Sequence, residues 1–197
     1  MKKTLFCLIT ALSLTITGCW GGDDEVSPGS TEQETPGKVT YTNDDFSMQI
    51  PTDWEVIASD SFTSTVPAQT VVGFRNNIKN DVFTANVNIA KADISEQAGL
   101  DSQNYAKSVV AKAKKSLVNY QQISLEDYKI SVNDTAVETF IAEFEGKKRA
   151  SDPVVHFKQI YVVNGSTGYI ITGAYLPTDN EDVAVNIEAM LKSFALN

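Results

Sequence analysis

The run Val154 to Val163 constrains this chain more than any other stretch. Val155, Phe157, Tyr161 and Val163 fall on one side of an alternating pattern, and Val154, Ile160 and Val162 fall on the other. Period-two alternation is the mark of a strand. A strand in a half-solvated sheet, however, is apolar on one side only. One that is apolar on both sides belongs to a sheet covered on both faces. Asn164-Gly165, directly after the run, is a strong hairpin signal, and Tyr169 to Leu176 follows as the returning strand.

Other alternating segments extend the sheet. Val39 to Tyr41 and Phe46 to Ile50 flank the turn-prone Asn43-Asp44-Asp45, and Pro51 ends the second of them. Thr70 to Phe74, Phe83 to Ala90, Tyr120 to Val132 and Ala136 to Phe144 read as further strands. Short consecutive connections favour antiparallel pairing.

Two stretches change to a helical period. From about Asp101 to Val118, Tyr105, Ala106, Val109, Val110, Ala113 and Leu117 form one apolar stripe, with Lys107, Lys112, Lys114 and Lys115 on the opposite face. Asp101 or Ser102 is suited to cap it. From about Asn180 to Phe194 the stripe is Val183, Ala184, Ile187, Met190, Leu191 and Phe194. Glu181 and Asp182 there sit favourably near the positive end of the helix dipole. The expected fold is α+β: an antiparallel β-sheet flanked by helices, an α/β/α sandwich.

Ahead of this domain the composition changes twice. Met1-Lys2-Lys3 is a basic start, and Leu5 to Ile16 is an apolar run interrupted only by Thr and Ser. At ~1.5 Å per residue that run is too short for a ~30 Å hydrocarbon core. Residues 20–38 are rich in Gly, Ser, Thr, Pro and acids and read as a flexible tether, spanning roughly 25 Å on average. The expected division is 1–18 leader, 19–38 acidic linker and 39–197 folded domain. Both cysteines, Cys7 and Cys19, lie ahead of the domain, so it relies on no disulfide and offers no thiol nucleophile or zinc-thiolate site.

Ile16-Thr17-Gly18-Cys19 resembles the lipobox of bacterial lipoproteins. The resemblance implies cleavage after Gly18, a diacylglyceryl group on the Cys19 sulfur and often acylation of the new amino terminus. It thus implies a cell-envelope protein anchored to a membrane through Cys19. Trp20, where an Asp would favour inner-membrane retention, leaves the periplasmic face of an outer membrane open if the cell has two membranes. Otherwise the outer face of the cell membrane is implied.

Phe46 to Pro51, followed by Trp54, resembles the opening of the PsbP/Mog1-like domains, including bacterial lipoproteins of the DcrB type. The downstream order of strands, a central helix, a meander and a C-terminal helix ending in Met190-Leu191-Lys192-Ser193-Phe194 is also similar. That family implies an adaptor or binding scaffold; Pro51 and Trp54 serve packing, and no ligand residue carries over.

The chemistry-bearing residues are sparse. His156 is the single histidine, and it stands inside an alternating strand with no sequence sign of a nucleophile or an orienting acid. No catalytic, cofactor-binding or metal-binding residue is expected, and no cofactor. Asp23-Asp24-Glu25 and Asp44-Asp45 lack the spacing and glycine of a calcium loop. A formal net charge of −9 disfavours nucleic acid. The Lys107 to Lys115 face and Lys147-Lys148-Arg149 read as solvated surface, or as contacts for anionic headgroups or an acidic partner. The sequence therefore points to a non-enzymatic, membrane-tethered binding or accessory domain with an envelope protein as partner. The alternative is a small-ligand carrier with a pocket between sheet and helix, lined by Tyr161, Tyr169 and Tyr175.

Overall fold

A computed structural model describes residues 37–63, 66–78, 80–97 and 99–197. The leader, Gly18, Cys19, Trp20 and the linker up to residue 36 lie outside the described residues. Strands β1 (Lys38–Thr42), β2 (Phe46–Pro51), β3 (Trp54–Ala58), β4 (Thr70–Asn76) and β5 (Asn86–Asp93) precede helix α1 (Ser102–Ser116). Four longer strands follow: β6 (Val118–Val132), β7 (Thr135–Lys147), β8 (Val155–Asn164) and β9 (Thr167–Tyr175). Helix α2 (Glu181–Lys192) and the two-residue β10 (Ala195–Leu196) end the chain. All strands join one sheet in the order β1-β2-β10-β6-β7-β8-β9-β5-β4-β3.

The sheet is mixed, which corrects the antiparallel expectation. β10 runs antiparallel to β2 but parallel to β6. The chain reaches this position by crossing a face of the sheet as α2, so the short strand returns in the direction of β6. β3 was not foreseen, and the segment from Phe83 to Ala85 turned out not to be strand. Asn80 Oδ1 accepts from Val82 N–H at 2.8 Å and holds a turn there, while Phe83 and Ala85 are still buried.

The two-sided strand behaves as its pattern dictates. Phe157 and Tyr161 of β8 pack under α1 with Tyr105, Ala106, Val109 and Val110. Ile160 and Val162 pack under α2 with Val183, Ile187, Met190 and Leu191. Each face thus carries one helix. The two helices are few for ten strands, so the architecture is α+β.

Caps and close contacts fix the helices. Asp101 is the α1 cap, its carboxylate accepting from Asn104 N–H at 2.7 Å. Ser102 is buried instead, and its Oγ accepts from Val163 N–H at 2.9 Å, tying the helix to the end of β8. Asn180 caps α2. A Cβ at Gly173 would stand 2.1 Å from Ile187 Cγ2, so α2 rests directly on the β9 backbone. Gly165, at φ 59°, and Ser166 form the two-residue loop between β8 and β9, one position later than Asn164-Gly165 suggests.

One long edge stays open. β6 pairs with β7 along its length, with bulges near Val118 and Ile123, but with β10 only at Ser131 and Val132. Among the described residues, no strand covers the other edge of β6 over residues 118–130, and Ile123 and Leu125 are exposed there.

Candidate functional site

The densest polar cluster lies on the α2 face. Side chains two apart on a strand share a face, which brings Glu143 and Glu145 of β7 beside His156 and Lys158 of β8. Glu145 is paired with His156 in the ladder, Glu143 with Lys158, and His156 with Tyr175. His156 Nε2 lies 2.6 Å from Glu143 Oε1, and Nδ1 lies 3.2 Å from Glu145 Oε1. Its ring stacks on Tyr175, with centroids 4.7 Å apart.

Ionised carboxylates only accept, and a neutral imidazole has one donor nitrogen. Both contacts are therefore hydrogen bonds together only when the ring carries both protons. Among the described residues, no hydroxyl or thiol is a hydrogen-bond partner of His156, so the arrangement there is a clamp between two carboxylates rather than a triad.

Lys158 continues the cluster, donating to Glu188 at 2.7 Å and standing 3.6 Å from Glu143. Lys192, one turn further along α2, also donates to Glu188. Hydrogen bonds from Lys158 and then Lys192 lower the Glu188 carboxyl from 4.5 to about 2. Burial, with the charges of Glu143, Glu188 and Glu145 added, pushes the Tyr175 hydroxyl up to about 12.

Because the folded value of Glu188 is depressed, its contribution is complete above about pH 4.5 and is lost as pH falls towards about 2. Urea midpoints measured across that window are expected to fall less steeply in Glu188→Gln than in the parent. The difference is modest, since Glu188 is more than a third exposed. Parallel profiles would show that Glu188 contributes nothing to the acid limb.

The α1 face holds a buried polar chain. Tyr161 donates to Gln159 Oε1 at 2.8 Å, and Gln159 Nε2 donates to Thr172 Oγ1 at 2.8 Å. Thr139 donates to the Tyr161 carbonyl. The hydroxyls of Tyr105 and Tyr120 are buried with no hydrogen-bond partner among the described residues. Burial pushes Tyr105 up to about 12. Nearby, Val109, Ala113, Leu117, Phe144, Phe157 and Gln159 help line a cavity of about 20 Å³, room for about one water molecule.

The tyrosines expected to line a single pocket are separated. Tyr161 lies under α1, whereas Tyr169 and Tyr175 belong to the α2-side core. Residues that share an apolar character in sequence end on opposite faces because their parities differ in the β8–β9 register.

The charged candidates also divide. Lys107 lies 5.5 Å from the centroid of the Phe140 ring, while Lys112, Lys114 and Lys115 are exposed and, among the described residues, form no ion pair. Asp45 pairs with Lys91 at 2.7 Å. Among the described residues, no group of three or more His, Cys, Asp or Glu side chains is arranged to hold a metal. Asn133 and Asp134 form the left-handed tip of the β6–β7 hairpin, at φ 47° and 59°.

No known family and no curated protein matches the chain by sequence. Solved structures do. Cyanobacterial PsbP (CyanoP) from Synechocystis sp. PCC 6803 superposes with a TM-score of 0.58 at 13% identity, covering 86% of this chain and 98% of that one. LpqN of Mycobacterium tuberculosis, described as involved in cell envelope biogenesis, gives a TM-score of 0.49 at 10% identity, covering 81% and 89%. The domain has the fold of a PsbP protein.

Proposed function

We propose that the chain is an envelope lipoprotein held to a membrane through Cys19, whose PsbP-like domain is a non-enzymatic accessory module that binds another envelope protein. The observation that carries the adaptor reading is the open edge of β6. Over residues 118–130, one edge of β6 has no partner strand among the described residues, and next to exposed Ile123 and Leu125 it offers main-chain hydrogen bonds and apolar contact to an extended segment. The lipobox-like Ile16 to Cys19 supports the tether, because two or three acyl chains anchor stably where one does not.

The second reading, a small-ligand carrier, draws on the cavity under α1 and the unpartnered hydroxyls of Tyr105 and Tyr120. A space of about 20 Å³ admits no multi-atom ligand unless α1 moves.

Cys19→Ser is expected to abolish membrane fractionation and processing in the native host; unchanged fractionation sinks the tether. A photo-crosslinking residue at Ile123 should give a discrete protein adduct, and one at the exposed Val185 of α2 should not. Equal labelling at both positions removes the β6 edge from consideration. A small molecule found by native mass spectrometry, with no adduct at Ile123, favours the carrier.

A further inference from the structure

Two basic segments that are far apart in sequence meet at one end of the domain. Leu117, just past α1, stands against the backbone of Gly146, within 3.0 Å of where a Cβ would be. The next residue, Val118, pairs with Lys147. The last turn of α1, with Lys114 and Lys115 and with Lys112 just before it, therefore adjoins the end of β7 at Lys147 and the β7–β8 loop, with Lys148 and Arg149. None of these six cations has an ion-pair partner among the described residues. The chain as a whole carries −9, so this end is a cationic patch on an anionic molecule.

The sheet registers give the patch a direction. β1 begins at Lys38, which pairs with Pro51, the last residue of β2. Following strand directions across the sheet puts Val118, Lys147 and Val155 at one end, while Lys38 lies partway along, about level with Asp127. The β6–β7 tip at Asn133 and Asp134 lies at the other end.

We propose that this patch docks the domain end-on against the anionic headgroups of its own anchoring membrane, a role that rests on the tethered reading. Charge complementarity favours this face, since the remaining acidic surface is repelled by such lipid. Docking also fixes the orientation, pointing the β6–β7 tip away from the bilayer.

The test uses the chain from Trp20 to Asn197, which retains the whole described fold and lacks the anchor. Vesicle binding then reports on the patch, while Cys19→Ser fractionation reports separately on the tether. Phosphatidylglycerol vesicles should retain the protein at low salt, and phosphatidylcholine vesicles should not. The combined Lys114→Glu, Lys115→Glu and Lys148→Glu variant should lower partition at least about a hundredfold, with its thermal midpoint kept. Reversing Lys129, which is paired with Glu138, should change it less than about twofold. Equal binding to both vesicle types, no binding to anionic vesicles, or an unaffected triple variant overturns the proposal. So does preferential retention by polyglutamate, which would assign the patch to an acidic protein.

Discussion

Gln159→Leu is expected to destabilise the domain by about 2–6 kcal/mol. Gln159 is fully buried and joins two strands, accepting from the Tyr161 hydroxyl and donating to Thr172. Leucine fits the apolar surroundings but strands two buried groups at once, and each orphaned group costs about 1–3 kcal/mol. The urea midpoint should fall with the slope unchanged, as for a stability change without a change in unfolded surface. The triple variant Gln159→Leu, Tyr161→Phe, Thr172→Val removes all three partners together and should recover most of the loss. A single variant within about 1 kcal/mol of the parent would show that water or a rearranged side chain satisfies the stranded groups.

Phe144→Ala is expected to cost about 3–5 kcal/mol. Phe144 is 1% exposed, with ring centroids 5.2 Å from Tyr120 and 5.3 Å from Phe157, and it lines the cavity under α1. Removing it enlarges an apolar space that packing around α1 holds open. If that packing is rigid, an apolar solute such as benzene should fill the space and raise the lowered Tm by mass action. A loss below about 1 kcal/mol, with no response to benzene, would mean that α1 settles into the gap. Mobility of that kind is what the carrier reading requires, so the measurement bears on function as well as stability.

Local period carried most of the fold. The two-sided pattern of Val154 to Val163 demanded cover on both faces, and α1 and α2 supply it. β3 escaped notice because Trp54–Ala58 is buried at its first and fourth residues rather than alternately. β10 escaped because two residues carry no period. The extra apolar residues at Phe83 and Ala85 extended a pattern past the point where Asn80 turns the chain.

The polar site was less legible for a different reason. His156 gave no sign of partners because Glu143 and Glu145 lie in another strand, and only the β7–β8 register places them against its two nitrogens. A single sequence states what each residue is, and its periodicity states which neighbours share its face. It does not state which strand lies alongside.

By itself, then, the sequence determined the two-sided strand, the two amphipathic helices, the acidic balance and the lipobox-like Ile16 to Cys19. The tertiary structure decided that β10 runs parallel to β6 and leaves that strand's edge open. It also separated Tyr161 from Tyr169 and Tyr175, and gathered Lys114 and Lys115 with Lys147 to Arg149. The physical reason is range. Side-chain direction repeats every two or 3.6 residues along the chain, whereas meetings between distant segments depend on strand order and register, which the packing of both faces fixes.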